Sequence, residues 1–137
     1  RRVTFPVNTW DRQSAGLQWI ADVSQSIGFG FMSASTGVLN DWIEWDVGLD
    51  AGTWELKLYY LTGNTYGIVT AKLDGTTLGS TIDMYTASSV RNNVVTRSTI
   101  TVAASGVHVF RLETGSKNAS SSAYKIGAQF VDFRRTA

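Results

Sequence analysis

The sequence predicts an all-β domain, an antiparallel jelly-roll β-sandwich of about nine or ten strands. Segments with strand character recur about every ten residues, with turn residues between them. No window keeps the 3.6-residue period of an amphipathic helix. Of the 137 residues, 43% are hydrophobic and only 17% are charged, and many side chains are β-branched or aromatic, which suits a pleated sheet. Because the strands follow one another through short turns, an antiparallel sandwich is favoured over a parallel βαβ sheet.

The N-terminal part predicts three strands, at residues 3–7, 17–21 and 27–34. Within the second, Leu17 and Trp19 alternate as they would on one face of a strand. Trp10 follows polar residues in a loop-like segment. Three interpretations of Trp10 and Trp19 remain open, namely core residues, stacking platforms for a ligand, or contacts with a neighbouring chain.

The clearest alternation lies in the next two strands, at residues 41–47 and 53–61. In the first, Ile43, Trp45 and Val47 share one face, and in the second Trp54 and Leu56 begin an apolar face. Such a period of two is expected when one face is buried in a sandwich.

A hairpin is predicted at residues 68–84, with strands at 68–73 and 76–84. The residues between them are Asp74 and Gly75. Asp-Gly suits the two positive φ angles of a type I′ turn, whose twist matches that of the flanking strands.

The C-terminal third predicts a polar loop at 85–93, strands at 94–102 and 107–113, a Ser-rich loop at 114–123 and a closing strand at 124–134. There is no internal repeat or break in composition, so we expect one domain over residues 1–137. Because the chain opens with Arg1 and Arg2 and without Met, we expect a module cut from a longer protein, a processed N-terminus being the alternative.

Composition excludes several classes of function. The formal net charge of +1 offers no electrostatic footprint for nucleic acid or for an anionic membrane. No apolar run is long enough for a membrane span. The chain has no cysteine, which excludes disulfides, thiolate metal sites and cysteine nucleophiles.

Four motifs from residue 40 onward resemble those of carbohydrate-binding modules of families 6 and 35. They are NDWIEWDV at 40–47 with DAGTWEL at 50–56, AKLDGTTLG at 71–79, VAASGVHVFRL at 102–112, and AQFVDF at 128–133. Their order and spacing agree with the family over about 95 residues. The resemblance implies the galactose-binding-domain-like β-sandwich, a jelly roll of two antiparallel sheets, and a role in binding sugar.

The chain departs from the family at the positions that bind ligands. The family's sugar stacks on an aromatic residue in the loop before the strand at 94–102, and here that loop has no Trp and only Tyr85. The family's Asn before the last strand has no counterpart, although Asn118 lies earlier. The family's calcium-binding Asp aligns with Gln129, and a neutral amide is a weaker ligand for a hard cation. We therefore expect no cofactor and assign no metal ligands, while the resemblance leaves a structural calcium open as the alternative.

The candidate ligand-binding residues are polar and aromatic groups in the predicted end loops. Sugar recognition suits such chemistry, because a ring stacks on the apolar face of a pyranose while amides and cations bind hydroxyls. Turn-forming preferences would by themselves give the same residue types. The candidates are Asn64, Tyr66, Tyr85, Arg91, Asn92, Asn93, Lys117, Asn118 and Tyr124.

No catalytic residue is predicted. His108 is the single histidine, and no partner for it is evident in the sequence, which favours a structural role. The acidic residues Asp41, Glu44, Asp46 and Asp50 are clustered, and Glu44 and Asp46 share a strand face with Trp42. A glycosidase would need two carboxylates facing each other across a sugar, whereas an outward acidic row is usually a solvated face.

Two functions follow, and neither is an enzyme. The first is a non-catalytic carbohydrate-binding module of a larger extracellular or virion protein, whose partner is a polysaccharide or a cell-surface glycan. The alternative is a structural or oligomerisation module, such as a homotrimeric part of a phage tail fibre, tailspike or other virion protein with a receptor-binding role. The low charge favours the alternative, because neutral surface is more easily buried against another chain.

Overall fold

The computed structural model describes residues 1–15, 19–21, 31–33 and 37–137. This part of the chain contains thirteen strands and one short 3-10 turn at Val7–Thr9, and nine of the strands have three or more residues. The strands are β1 (Arg2–Pro6), β2 (Arg12–Gln13), β3 (Trp19–Ala21), β4 (Phe31–Ser33), β5 (Trp42–Leu49), β6 (Gly52–Thr62), β7 (Ile68–Leu73), β8 (Thr76–Thr77), β9 (Ile82–Asp83), β10 (Val90–Val102), β11 (Gly106–Ser116), β12 (Gly127–Ala128) and β13 (Phe130–Arg135).

Two antiparallel sheets form the sandwich, which confirms the predicted fold class. Sheet A has the strand order β1-β13-β6-β10. Sheet B has the order β2-β5-β11-β7-β8, with β9 also paired to β7. A small sheet C, of order β12-β4-β3, lies beside them. Among the described residues, no helix is long and apolar enough to cross a membrane.

The core forms where the alternating apolar faces of the sheets meet. The fully buried side chains include Trp54, Leu56 and Leu58 of β6 and Ile43 of β5. Trp45 of β5 is only 1% exposed. Burying these side chains requires partners for their polar atoms. The Trp45 indole N–H donates to the Val7 carbonyl at 3.2 Å, and the Trp54 indole N–H donates to the Asp50 carbonyl at 2.9 Å.

Four aromatic rings join the two sheets at the centre of this core. Phe5 and Phe133 come from sheet A, and Trp45 and Phe110 from sheet B. The Phe110 ring lies 5.7 Å from the Trp45 ring and 5.6 Å from the Phe133 ring, in the second case edge to face. Edge-to-face and tilted pairs are favourable arrangements of aromatic quadrupoles, so these contacts add to the area that the rings bury.

The predicted hairpin turn is present. Asp74 has φ 50° and Gly75 has φ 81°, the two positive angles that a type I′ turn requires. The second strand of the hairpin, however, does not run from 76 to 84 as predicted. It stops after Thr77, and a separate short strand β9 begins at Ile82. Between them Gly79 adopts φ 72°, and a Cβ there would lie 2.5 Å from Nε of Arg97.

Other predicted boundaries are wrong by a few residues. The loop predicted at 85–93 ends earlier, since β10 already begins at Val90. The strand predicted at 124–134 begins only at Gly127 and is divided at Gln129 into β12 and β13. Strand β11 extends to Ser116, into the predicted Ser-rich loop. The strands predicted at 17–21 and 27–34 lie partly outside the described residues, and their described parts are β3 and β4.

Strand β10 forms the edge of sheet A and contains two bulges. Its pairing with β6 shifts between Val90 and Asn93 and again between Arg97 and Ile100. Thr99, inside the second bulge, has φ 60°. A β-branched residue rarely adopts this left-handed conformation, because its Cβ crowds the backbone. Beside the bulge, Arg97 connects β10 to the segment between β8 and β9. It donates to the carbonyls of Leu78 and Ser80, at 2.8 and 2.6 Å.

The two ends of the chain lie side by side. Strands β1 and β13 are antiparallel neighbours, and Arg2 is opposite Arg134. The amide of Thr53 donates to the carbonyl of Ala137 at 3.0 Å. This end of the sandwich also holds the turns between β5 and β6, β7 and β8, and β10 and β11. We refer to the other end as the loop end.

The strain at Thr99 gives a stability prediction. Thr99→Gly should leave the free energy of unfolding unchanged or raise it by about 1 kcal/mol, because glycine adopts positive φ without the cost that a β-branched residue has there. Thr101→Gly is the matched control in the same strand and should lower the free energy of unfolding by about 0.5–1 kcal/mol. Urea unfolding of both variants measures the difference, and equal losses would show that the Thr99 conformation carries no strain.

Candidate functional site

Three loops interlock at the loop end. They are residues 63–67, 84–89 and 117–126. The amide of Gly63 donates to Met84 O at 3.1 Å, the amide of Gly67 donates to Lys125 O at 2.9 Å, and the amide of Ser122 donates to Asn64 O at 3.1 Å. Because backbone bonds connect all three loops, their exposed side chains are held on one surface.

The three loops pack around the buried ring of Tyr66. It is 5% exposed, and its Cε1 and Cε2 atoms lie 2.8 and 2.4 Å from where a Cβ on Gly63 and on Gly127 would be. Any larger residue at either glycine would therefore collide with the ring. Tyr66 was predicted as a ligand-binding residue, but the structure buries it beneath the loop surface.

Five other predicted residues lie at this end. Asn64 is exposed, and Tyr85, Lys117, Asn118 and Tyr124 are partly exposed. We call these five side chains the loop surface. Asn118 donates to a carboxylate oxygen of Asp83 at 2.9 Å, and the same Asp83 accepts from the amide of Tyr85 at 3.0 Å.

Lys117 is held over a tyrosine ring of the same surface. Its ammonium donates to the carbonyl of Ser121 at 2.9 Å and lies 6.0 Å from the centre of the Tyr124 ring. The loop surface therefore combines two phenol rings, two amides and one ammonium. This arrangement offers rings for stacking and donors for hydroxyl groups.

The remaining three candidates lie at the start of strand β10; they are Arg91, Asn92 and Asn93. The Asn92 side chain and amide form a reciprocal pair with the Gln129 side chain, at 2.9 and 2.7 Å. The Asn93 amide donates to the carbonyls of Tyr60 and Val90. Asn92 and Asn93 thus satisfy the backbone of the first bulge, where Asn92 has φ 62°. Arg91, between Val90 and Asn92, is exposed.

The Gln129 contacts also test the calcium site that the resemblance implies. Gln129 is 5% exposed, and its amide group is paired with Asn92 rather than turned towards other ligands. No group of three or more His, Cys, Asp or Glu in the described ranges could hold a metal ion. Gln129 therefore places a neutral amide, already hydrogen-bonded to Asn92, where the resemblance implies a carboxylate for a hard cation.

The acidic row of β5 is neutralised by cations from neighbouring strands. Arg12 of β2 donates to Glu44 at 2.9 Å and also pairs with Asp46. From the other side, Arg111 of β11 donates to Glu44 at 3.2 Å. The hydrogen bond from Arg12 lowers the pKa of Asp46 below its usual value. These carboxylates are engaged in ion pairs along one sheet face and do not form an opposed pair for glycoside hydrolysis.

Trp42 lies on the same outer face of sheet B. It is partly exposed, and the Arg111 guanidinium lies 4.4 Å from the centre of its ring, a cation–π contact. Arg111 also donates to Glu113 at 3.1 Å, and Lys72 pairs with Glu113. This exposed tryptophan is a second aromatic feature, and alternation along the strand had already placed it on the outer face.

His108 has a partner that the sequence did not reveal. Its Nδ1 lies 2.5 Å from a carboxylate oxygen of Asp74, and its Nε2 lies 2.8 Å from the Ala104 carbonyl. Both partners are acceptors, so both contacts are hydrogen bonds when the ring is an imidazolium whose two nitrogens donate. The hydrogen bond to Asp74 raises the pKa of His108 above its ordinary value. The pair connects the β7–β8 turn to β11, and the contact with Ala104 extends the connection to the β10–β11 turn, an arrangement in which His108 serves the fold.

Comparison with known proteins identifies the fold. No family model and no curated protein matches the sequence. Among solved structures, the chain is similar to part of a Paenibacillus xanthan lyase, with 23% identity and a TM-score of 0.80 over 97% of this chain. The chain spans 13% of the length of that lyase.

Two isolated modules match over nearly their whole length. One is the CBM36-1 domain of a multidomain xylanase from the hindgut metagenome of Trinervitermes trinervoides, with 13% identity, a TM-score of 0.69, and coverage of 100% of this chain and 99% of that one. The other is a family 6 carbohydrate-binding module of lichenase 5A from Cellvibrio mixtus, solved with cellotriose, with 15% identity, a TM-score of 0.68 and 98% of each chain covered. The fold is therefore the β-sandwich that the resemblance predicted.

The His108–Asp74 pair predicts a pH dependence of stability. Because the folded-state pKa of His108 is raised above about 6.5, the pair stabilises the fold fully below that pH. Its contribution is lost as the pH rises through the folded-state pKa. Chemical unfolding between about pH 6 and pH 9 should show a falling free energy for the native chain.

The same measurement on His108→Gln should show a flatter profile over this range. Asp74→Asn is the matched control on the other side of the pair and should flatten the profile in the same way. A slope in His108→Gln equal to that of the native chain would contradict the assignment of the effect to this pair.

Proposed function

We propose that this chain is a non-catalytic carbohydrate-binding module of an extracellular protein, and that it binds a polysaccharide or cell-surface glycan through the loop surface. The supporting observation is the combination of the fold with partly exposed Tyr85 and Tyr124 on interlocked loops. A module of the same fold and length was solved with cellotriose.

The chemistry of the loop surface suits a sugar. A phenol ring can cover the apolar face of a pyranose, and the carbonyl and amide groups of Asn64 and Asn118 can bind its hydroxyls. Backbone hydrogen bonds already order the loops, so little conformational entropy is lost when a ligand binds. Arg91 is exposed at the start of β10 and provides a cation near the same end.

A module of this kind acts by raising the local concentration of its parent protein on a polymer. A single weak contact is sufficient when the attached protein is tethered to a surface with many repeats of the same sugar. Catalysis is not part of the proposal, because the carboxylates of β5 are held in ion pairs and His108 is paired with Asp74.

A second function has its own structural support. Pro6, Phe130, Tyr59 and Val94 are consecutive partners across all four strands of sheet A. The alternate residues of these strands are buried, so this row lies on the outer face, where Val94 is 48% exposed. An apolar row across an open sheet favours contact with a second chain. It supports the alternative of an oligomerisation module in a tail fibre, tailspike or other virion protein with a receptor-binding role.

Sedimentation of the chain over a range of concentrations tests this alternative. A dimer or trimer that dissociates in Val94→Lys would support it, because a charge in the row would lose its solvation on association. A monomer at all concentrations would contradict the oligomerisation role of this apolar row.

Affinity electrophoresis and calorimetry with cellotriose and a panel of plant, algal and bacterial polysaccharides test the first function. Tyr85→Ala and Tyr124→Ala should each weaken binding by about tenfold, since an aromatic contact contributes about 0.5–1.5 kcal/mol beyond the area it buries. Tyr59→Ala is the matched control, a tyrosine on the outer face of sheet A, and should bind as the native chain does. Absence of retardation on every polysaccharide would contradict the proposal.

A further inference from the structure

A concave surface lies away from the loop surface, at the edge between the two sheets. It is a cleft of about 730 Å³ between β10 of sheet A and the β7–β8 hairpin of sheet B. Ala103, Ala104 and His108 are part of its wall, which places it towards the end where the chain termini lie. Its volume is within the range of about 300–1,000 Å³ that is usual for small-ligand sites.

The floor of the cleft is apolar and its rim carries hydroxyl groups. Leu73, Leu78, Ile100 and Val102 form the floor, and they retain between 3% and 8% exposure. The rim includes Thr76, Ser98, Thr99 and Thr101, all of them exposed. An apolar floor beneath several hydroxyl groups matches the two kinds of surface that a pyranose ring presents.

The second bulge of β10 supplies backbone groups to the same rim. Arg97 is opposite Leu56 and Ile100 is opposite Trp54, so Ser98 and Thr99 together face a single residue of β6. Two residues opposite one leave backbone groups outside the ladder. The left-handed φ of Thr99 keeps the bulge in this shape at an energetic cost, and strained residues of this kind cluster at ligand clamps.

Arg97 gives the cleft a positive charge. It donates to the carbonyls of Leu78, Ser80 and Thr96. A guanidinium has five N–H donors, so two remain for a ligand. None of the ion pairs in the described part of the chain includes Arg97. The other two charges of the cleft, Asp74 and His108, are paired with each other.

We propose that this cleft is a second binding site, independent of the loop surface, for a sugar that carries a carboxylate, such as a uronic acid residue of an acidic polysaccharide. The pyranose ring would lie on the aliphatic floor, the hydroxyls would bind the Thr and Ser rim, and the carboxylate would accept from the two remaining donors of Arg97. A carboxylate is the ligand that a guanidinium fork binds best. The proposal goes beyond the proposed function and shares with it only the general class of ligand.

A matched pair of sugars tests the site. Methyl β-glucuronide and methyl β-glucoside differ only at C6, which is a carboxylate in the first sugar and a hydroxymethyl group in the second. Each sugar is titrated to about 10 mM into the isotopically labelled chain, a concentration that detects a Kd near 1 mM. The expected result is a shift of the backbone amide signals of Ser98, Thr99 and Thr101 with the glucuronide. Binding of the glucoside should be at least tenfold weaker, and added salt should weaken the binding of the glucuronide.

Variants then assign these shifts to the cleft. Thr76→Tyr places a ring in the cleft and should weaken glucuronide binding at least tenfold, and Ser98→Tyr tests the opposite rim if the first variant does not fold. Thr4→Tyr is the matched control, an exposed threonine of β1 that does not line the cleft.

Three results would overturn the second site. They are no amide shift in the cleft at about 10 mM glucuronide, equal binding of both sugars, or full binding by Thr76→Tyr and Ser98→Tyr. None of these results affects the loop surface, which Tyr85→Ala and Tyr124→Ala test separately. Conversely, loss of cellotriose binding in Tyr85→Ala with retained glucuronide binding would support two separate sites.

Discussion

The contact of Phe110 with Trp45 and Phe133 is the interaction on which this sandwich depends. It brings one ring from sheet A against two from sheet B, and large aromatic side chains bury about 150–250 Å² each. With only 17% of residues charged, most of the stability must come from burial rather than from surface ion pairs, which contribute little. The sheets are therefore held from their centre, and both ends remain available for loops and turns.

The two ends differ in their chemistry because they are closed in different ways. At the loop end, backbone hydrogen bonds between three loops and the buried ring of Tyr66 hold the chain, so side chains such as Asn64 project freely. At the other end, charged side chains make the connections, with His108 bound to Asp74 and Arg97 to main-chain carbonyls. The first arrangement leaves neutral rings and amides exposed, and the second leaves a positive charge beside an apolar floor.

The strands with one buried face were predictable from the sequence, and the contacts between distant strands were not. Alternation located β5 and β6, and Asp74-Gly75 located the hairpin, because these signals are local. After Thr77 the chain leaves the strand at the point where Arg97, about twenty residues later, packs on Gly79, and no local pattern shows this contact. The loop residues were found by type, but the sequence did not show that Tyr66 is buried against Gly63 and Gly127 while Tyr85 remains partly exposed.

The neighbouring positions of the two chain ends determine how the domain responds to a pulling force. The Arg135 amide donates to the Arg1 carbonyl at 2.8 Å, outside the Arg2–Arg134 pair of the β1–β13 ladder, so tension applied through both ends acts on this bond first. The remaining pairs then open in sequence up to Pro6 and Phe130, each with a net hydrogen-bond contribution of about 0.5–1.5 kcal/mol. Force is thus carried by one pair at a time rather than shared along the strand. Such a domain unzips at low load from β1, which would remove Phe5 from the aromatic cluster early.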